Sequence, residues 1–257
     1  MIFTKRLELG KLYRKGVEIM NNKEFVAKLV DIAKNYKTLY VMGCFGAPLN
    51  SANKTRYCNN HSYNKKAARQ TMINAASADT FGFDCVNLVK GVLWGWNGDK
   101  SKTYGGAKYA VNGVPDISAD GMIAKCLNVS TDFSHLEIGE AVWCPGHIGV
   151  YIGDGLAVEC TPAWKNCVQI TACNCTKAGY NRRNWTKHGK LPYITYEKAA
   201  AKKLESGNDI VWELMNGKHK IEITEVQRAV KALDKAKNNP EFMSLYWILY
   251  KLVNDNG

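Results

Sequence analysis

The chain has 257 residues, 46% of them hydrophobic and 23% charged, which fits a globular protein with a buried core and excludes a disordered polymer. No window approaches the roughly eighteen consecutive apolar residues of a membrane helix, and the N-terminus lacks the apolar run of a secretory signal. The formal charge of +12 lies mostly in residues 1–196, with 25 Lys and Arg against 14 Asp and Glu. Such a basic region predicts an anionic partner, and no aromatic-basic signature of a nucleic-acid module is present.

The first part of the chain predicts a leader, a helix and two polar connections. Residues 1–19 are basic and we assign them no role. Residues 22–36 predict a helix, because Phe25, Leu29 and Ile32 recur at helical spacing. Residues 40–50 contain two glycines and a proline and predict a loop. Residues 59–70 are polar and predict an exposed segment.

The middle of the chain changes from helical to strand-like spacing. The stretch FGFDCVNLVKGVLWGW, residues 81–96, predicts a helix that begins at Cys85. Its apolar positions on one face are Val86, Val89, Leu93 and Trp96. After Gly139, EAVWC and HIGVYIGDGLAVEC predict a strand followed by a hairpin with GDG as its turn. Residues 168–196 predict irregular structure.

The end of the chain, residues 197–257, shows three helical patterns, with Pro240 separating the second from the third. Its charge is nearly balanced, with 10 Lys and Arg against 9 Asp and Glu. We therefore predict an α+β protein with two domains. Residues 20–196 form the larger domain, with an antiparallel sheet, and residues 197–257 form a small all-helical domain that binds an anionic surface or self-associates.

Nine cysteines are too many, and an odd number, for a disulfide framework in a reducing compartment. We expect free thiols, metal ligands or catalytic groups. The close pairs are Cys173 with Cys175, Cys160 with Cys167, and Cys58 with His61. No two of these pairs have the spacing of a zinc finger, so we predict no structural metal and no cofactor.

Cys85 has the setting of a nucleophile. The free N–H groups and aligned peptide dipoles of a helix N-terminus favour a thiolate. Asp84 is a good N-cap residue, which places Cys85 in the first helical position. The negative charge of Asp84 opposes thiolate formation, so the residues alone leave an inert, buried Cys85 as an alternative.

A thiol nucleophile needs a base, and His147 is the best candidate. It opens the strand HIGVYI, in which Ile148 and the alternate apolar positions face the core. Gly149 shares the face of His147 and leaves room there. The other four histidines, which we place in loops or on the surface, are His61, His135, His188 and His219.

A third group should orient the imidazole ring, and Glu159 lies twelve residues after His147 across the hairpin. A turn with an odd number of residues would place His147 opposite Thr161, with Glu159 one diagonal step away. A two-residue turn would direct Glu159 into the core, where an unpaired charge is costly. We therefore predict the odd turn. The alternative is an ordinary surface carboxylate.

These motifs resemble the NlpC-type peptidoglycan endopeptidases, which are papain-like cysteine peptidases of bacteria and their phages. FDCVNLV is followed about sixty residues later by GEAVWCPGHIGVYIGDG, and YVMG supplies an upstream tyrosine element. The resemblance covers about residues 22–195. The chain departs from the family pattern at three places: Val86-Asn87 replaces Ser-Gly, Glu140 replaces Asp, and Glu159 replaces His, Asn or Gln.

The resemblance implies catalytic roles for Cys85, His147 and Glu159, and a role for Tyr40 in binding the oxyanion. It also implies that Asp84 helps to recognise a positive group of the substrate. Tyr40 has a core aromatic as its alternative. Trp143, next to the histidine strand, either lines the groove or belongs to the core.

The implied substrate is the stem peptide of peptidoglycan, and the implied partner is the anionic cell wall. Cysteine precedes histidine in the chain, whereas a permuted subgroup that includes lipid acyltransferases has the reverse order. Without an export signal, the expected protein is a phage endolysin released by a holin, or a phage-associated bacteriolytic enzyme. The alternatives are an N-acetylmuramoyl-L-alanine amidase of papain-like fold and a non-catalytic wall-binding protein.

Overall fold

The computed structural model describes residues 12–14 and 17–196, which belong to one compact unit, Met1–Glu197. The predicted helical domain of residues 197–257 lies outside the described residues, and so does most of the leader. The described part is α+β. Its helices are α1 (Asn22–Asn35), α2 (Ser51–Asn60), α3 (Ala67–Ala75), α4 (Cys85–Leu93) and α5 (Ala119–Lys125), with a 3₁₀ turn at Phe133–His135.

The strands form three sheets. The first is an antiparallel pair, β1 (Leu12–Arg14) and β2 (Val17–Ile19). The second has the order β3-β5-β4 and consists of β3 (Thr38–Tyr40), β4 (Phe45–Pro48) and β5 (Phe81–Phe83). The third has the order β11-β10-β9-β8-β7-β12-β6. Its strands are β6 (Leu127–Ser130), β7 (Ala141–Cys144), β8 (His147–Gly153), β9 (Leu156–Thr161), β10 (Cys167–Cys173), β11 (Arg182–Arg183) and β12 (Lys187–Lys190).

Several elements differ from the sequence prediction. The predicted loop 40–50 contains β4, whose four residues are all buried. The predicted irregular segment 168–196 supplies three strands, because short strands get their stability from pairing with neighbours that sequence spacing does not reveal. The large sheet is mixed and not purely antiparallel, since β11 pairs parallel to β10.

The predicted first helix is confirmed, and its start has a physical cause. Asn21 accepts a hydrogen bond from the backbone of Glu24, whose side chain in turn accepts from the backbone of Asn21. This capping box satisfies two backbone donors that the helix itself cannot pair. The three predicted apolar positions, Phe25, Leu29 and Ile32, are fully buried.

Helix α4 begins at Cys85 as predicted, but it has no exposed face. All nine of its residues are buried, including Asn87 and Lys90. The helix packs against β8 and β9 on one side and against β4 on another. The single apolar stripe that spacing predicts therefore understates its burial, because β4 covers a further side of the helix.

The large sheet has two faces with separate cores. The inner face carries Ile148, Val150 and Val158, which join the main core with α1, α4 and α5. The outer face carries a smaller cluster that includes Val142 and Trp185. Helix α4 therefore lies on the inner face, while strand alternation directs His147 and Glu159 to the outer face.

The β8–β9 hairpin gives the predicted register by a different route. Its turn has two residues, Asp154 and Gly155, both with positive φ. Ile152 forms a β-bulge, because Tyr151 pairs with Ala157 whereas Gly153 pairs with Leu156. This one extra residue in β8 gives the same side-chain alternation as a turn with an odd number of residues. Glu159 therefore pairs with Gly149 on the outer face, one step from His147. The predicted placement of Glu159 is right, and the predicted three-residue turn is wrong.

Within residues 12–14 and 17–196, no helix is long and apolar enough to cross a membrane. The same residues hold no group of three or more His, Cys, Asp or Glu placed to bind a metal ion. All nine cysteines lie in the described range and are free thiols.

Candidate active site

Cys85 opens α4 and is 8% exposed. Burial raises the pKa of its thiol to about 12, and the charge of Asp84 adds to this rise. The backbone N–H groups of Ile148, Val86 and Cys85 act in the opposite direction. The contribution from Ile148 places the thiol beside β8, next to the residue that follows His147. At neutral pH the thiol therefore needs a base to lose its proton.

Asp84 holds the start of α4 to the preceding loop. One carboxylate oxygen accepts from the Asn87 backbone N–H at 2.7 Å. The other accepts from the Gly43 backbone N–H and from the Asn87 side chain, each at 2.7 Å. Burial raises the Asp84 pKa, although these hydrogen bonds oppose the rise. At 4% exposure, the carboxylate is committed to the chain's own groups.

His147 and Glu159 form a direct pair on the outer face. The ring Nε2 lies 2.7 Å from the Glu159 Oε2. An ionised carboxylate only accepts hydrogen bonds, so Nε2 carries a proton and Nδ1 is the basic nitrogen. The His147 side chain is 15% exposed, whereas that of Glu159 is fully buried. The pair therefore presents one basic nitrogen from a fixed ring.

Three further groups satisfy the buried Glu159 carboxylate. The Thr171 hydroxyl donates to Oε1 at 2.7 Å. The Arg183 Nη2 donates to Oε2 at 2.8 Å, and its Nε lies 3.1 and 3.2 Å from the two oxygens. Burial opposes ionisation, but hydrogen bonds from His147 and Arg183 outweigh it and lower the Glu159 pKa. Glu159 is therefore an anion at neutral pH.

The space beside Gly149 is filled by Trp185. The Trp185 ring stacks on His147, with ring centroids 5.5 Å apart and planes at 8°. A Cβ on Gly149 would lie 3.0 Å from this ring and 2.8 Å from the Val158 carbonyl oxygen. The predicted open space beside Gly149 is therefore absent, because Trp185 occupies it and fixes the imidazole plane.

The start of β8 carries the His147 ring on the outer face of the sheet, and the backbone N–H of the next residue, Ile148, contacts the Cys85 thiol on the inner face. Among the described residues, no hydrogen bond joins the two side chains directly. Hydrogen bonds between a nucleophile and its base are often long in unliganded enzymes and tighten when substrate binds. The structure thus brings His147 and Glu159 together and places Cys85 beside the same strand.

Tyr40 ends β3 and pairs with Phe83, two residues before Cys85. It is 5% exposed, and its ring meets Tyr63 edge-on with centroids 5.8 Å apart. Burial raises the Tyr40 pKa far above its ordinary value, and the largest charge contribution to that rise comes from Cys85. Tyr40 therefore stays a neutral hydroxyl close to the thiol while also forming part of the core.

Trp143 lies on the inner face, where it pairs with Ile148 and packs against the main core. Its indole Nε1 donates to Asp120 at 2.8 Å. The same Asp120 oxygen accepts from the Gly146 backbone N–H at 3.0 Å. Trp143 is thus half-buried and anchors the turn before His147. This placement favours the alternative in which Trp143 belongs to the core over the one in which it lines a groove.

His188 is not the loop or surface residue that we predicted. It lies in β12, is 4% exposed, and pairs through Nδ1 with the buried Glu140. Its Nε2 lies 2.9 Å from the Asp132 carbonyl oxygen. His61 and His135 are exposed, as predicted, and His219 lies outside the described residues.

Sequence reasoning missed Arg183, Trp185 and Thr171, which complete the surroundings of His147 and Glu159. All three come from the segment that we predicted to be irregular. Thr171 could have been found, because CVQITAC alternates in the manner of a strand once Glu159 is assumed to need a donor. No local sequence pattern marks Arg183 or Trp185 as part of the site. They reach Glu159 and His147 only because of the path that β11 and the residues after it take in the fold.

No protein-family profile matches the chain, and no curated protein matches it. One similar solved structure is that of NlpC1 from Trichomonas vaginalis, with a TM-score of 0.34 and 12% sequence identity. The match covers 70% of this chain and 54% of that one, so it spans about half of that protein. A similarity of this size does not establish a shared family, and membership remains a proposal.

Proposed function

We propose that this chain is a cysteine endopeptidase that hydrolyses amide bonds in the stem peptides of bacterial peptidoglycan. The observation that carries the proposal is the His147–Glu159 pair on β8 and β9, beside a cysteine at the start of a buried helix. A nucleophile, a base and a group that orients the base define the class of cysteine hydrolases.

The reaction begins with proton transfer. The Cys85 thiol gives its proton to Nδ1 of His147, and the thiolate attacks the amide carbonyl carbon. When the tetrahedral intermediate collapses, the carbon–nitrogen bond breaks and His147 gives the proton to the leaving amine. His147 then activates a water molecule that hydrolyses the thioester, which releases a carboxylic acid and restores the thiol. Glu159 keeps the ring in its reactive tautomer throughout.

Two donors near Cys85 suit the oxyanion. The Cys85 backbone N–H lies in the first turn of α4, where N–H groups have no acceptor within the helix. The Tyr40 hydroxyl is neutral and close to the thiol. Donors arranged in advance of the reaction stabilise the developing negative charge, and removing one of them costs about 10²–10³ in rate.

The substrate class is supported by the quoted motifs and by the charge of the chain. The excess of Lys and Arg in residues 1–196 favours an anionic polymer such as a cell wall. The order of cysteine before histidine favours peptide cleavage over acyl transfer to lipid. The phage origin, and wall binding or self-association through residues 197–257, belong to the same proposal.

The test is digestion of purified peptidoglycan by the full chain and two variants. Cys85→Ala should abolish the fall in turbidity, whereas Cys175→Ala, at a half-buried thiol distant in sequence, should keep it. Mass spectrometry of the products should show cut stem peptides. Retained lysis by folded Cys85→Ala would overturn the cysteine mechanism, and peptide-free glycan chains would show an amidase instead.

A further inference from the structure

Arg183 is the second partner of the carboxylate that orients His147. Its guanidinium contacts both oxygens of Glu159 and donates to the Thr161 hydroxyl at 3.1 Å. The side chain of Arg183 is 22% exposed, and that of Glu159 is fully buried. An ion pair at this depth is screened little by solvent, so its charges act strongly on a neighbouring ring.

Two tryptophan rings hold the guanidinium in place. Its central carbon lies 4.7 Å from the ring centroid of Trp164 and 5.9 Å from that of Trp185. Trp185 also stacks on His147. The positive charge and the imidazole thus lie against the same aromatic ring, and both contact the same carboxylate. A cation between aromatic faces is restricted in position as well as in charge.

A second buried carboxylate, that of Glu140, allows the effect of the Arg183 guanidinium on a glutamate pKa to be compared. Glu140 also pairs with a histidine, His188, but no arginine or lysine contact to Glu140 is present among the described residues. Burial raises the Glu140 pKa in spite of that histidine. For Glu159, the added hydrogen bonds from Arg183 help to reverse the balance. The guanidinium therefore adds to the hydrogen bond of His147 in keeping Glu159 ionised.

We propose that Arg183 and Glu159 act as one net-neutral positioning unit for His147. Glu159 supplies the hydrogen bond that fixes the ring, and Arg183 cancels the charge that would otherwise hold the ring in its protonated form. A base that stays protonated cannot accept the proton of a thiol. Arg183 is thus a positioning residue that keeps His147 free to act, and this inference rests on the proposed function.

Other groups near His147 must be considered in any change with pH. Titratable or charged groups on the elements around it include Cys85, Asp120, Cys144, Glu159, Cys173 and Arg183. The experiment is therefore done in full-length chains that carry Cys85→Ala, which removes the coupled titration of the nucleophile. Asp120, Cys144 and Cys173 stay unchanged in every variant, so their effect cancels in the comparison.

The measurement is NMR titration of the His147 ring, identified by its loss in His147→Gln. Arg183→Met leaves the anion unopposed and should move the titration midpoint up by about one pH unit, whereas Glu159→Gln should move it down by a similar amount. The double variant should return to within about 0.3 unit of the Cys85→Ala parent, because both units are net neutral.

Controls separate charge from packing. Arg183→Lys keeps the charge and should stay near the parent midpoint. Arg182→Met removes the neighbouring positive charge, which hydrogen-bonds Asn184 and is exposed, and should shift the midpoint little. If Arg183→Met alone does not fold, Glu159→Gln is compared with the double variant instead. The inference then requires the His147 titration midpoint of the double variant to lie above that of Glu159→Gln.

Shifts of the same sign in Arg183→Met and Glu159→Gln, or a double variant that does not return, would overturn the inference. This outcome is distinguishable from failure of the proposed function, because the titration needs no substrate and no nucleophile. Lysis by Cys85→Ala would refute the function and leave the titration result standing. Cys85-dependent lysis with shifts of equal sign would refute the role of Arg183 alone.

Discussion

The large sheet contains two buried pairs of histidine and glutamate, and they differ in what the second ring nitrogen does. In the His188–Glu140 pair, the remaining nitrogen lies 2.9 Å from the Asp132 carbonyl oxygen. In the His147–Glu159 pair, the remaining nitrogen has no acceptor or donor among the described residues, and β8 lies beside Cys85. An acid–imidazole pair is therefore not a site by itself. The site that we propose also requires the open nitrogen and the thiol beside β8.

The two pairs also differ in their partners. Glu140 pairs with His188, and burial raises its pKa. Glu159 has the hydrogen bonds of His147 and Arg183, and its pKa is lowered. One pair thus stabilises β12 against its neighbours, while the other holds a ring at the edge of a partly exposed site. The following experiments test this distinction, beginning with the largest expected effect.

The largest expected difference between the two pairs is in the rate of Cys85 alkylation when His147 or His188 is replaced with glutamine. In His147→Gln, Cys85 loses its base, so its alkylation by iodoacetamide at about pH 7 should fall by about 10²-fold or more. The rate should then rise roughly tenfold per pH unit, toward the thiol pKa of about 12. In His188→Gln, the rate should stay within about threefold, because both ring nitrogens of His188 bind other groups, Glu140 and the Asp132 carbonyl, although stability should fall by about 1–3 kcal/mol.

Peptide-level mass spectrometry measures the Cys85 rate separately from the other eight cysteines. Equal alkylation rates in the two glutamine variants would remove the distinction between the pairs. A His147→Gln profile that stays flat from neutral to alkaline pH would contradict the role of His147 as base.

The stacking of Trp185 on His147 gives a second test. Gly149→Ala would place a Cβ 2.8 Å from the Val158 carbonyl and 3.0 Å from the Trp185 ring. We expect a loss of about 1–3 kcal/mol in the free energy of unfolding and a slower Cys85 alkylation, because the ring must move. Gly189→Ala is the matched control. Its Cβ would lie 2.8 Å from Cys126 beside the other pair, so it should lower stability without slowing alkylation.

The smallest expected effect is on the free energy of unfolding, whose dependence on pH should have opposite signs for Glu159 and Glu140. The folded pKa of Glu159 is lowered, so its contribution to stability is present above the ordinary glutamate pKa of 4.5 and is lost as the pH falls further. The folded pKa of Glu140 is raised, so the folded chain takes up that proton first and gains stability as the pH falls toward 4.5.

Urea unfolding from about pH 7 to about pH 3.5 measures both effects, at about 1.4 kcal/mol per unit of pKa shift. The stability difference between the unchanged chain and Glu159→Gln should shrink on acidification. The difference from Glu140→Gln should grow. Parallel slopes in the two variants would show that Arg183 does not set the two glutamates apart.

The sequence predicted the elements whose signals are local. Asp84 before an apolar run marked the start of α4, because an N-cap side chain acts within three residues. Alternation marked β8 and β9, and the cost of burying an unpaired Glu159 gave the correct face. The bulge at Ile152 was not predictable, since it depends on which cross-strand pairs form.

The strands within residues 168–196 could not be predicted from local sequence patterns. The strands β11 and β12 have two and four residues, too few for a period to emerge. Their partners lie up to about sixty residues away, on β6, β7 and β10. Arg183, Trp185 and His188 therefore received their roles from strand pairing and not from their neighbours in sequence.

By itself, the sequence determined the start of α4 at Cys85, the strand that carries His147 and the face on which Glu159 lies, because capping and alternation act over a few residues. Only the tertiary structure decided that Arg183 neutralises Glu159, that Trp185 fills the space beside Gly149, and that His188 is buried with Glu140. These contacts join segments that are distant along the chain, and their energies depend on burial and on charge, which exist only after the sheet has formed.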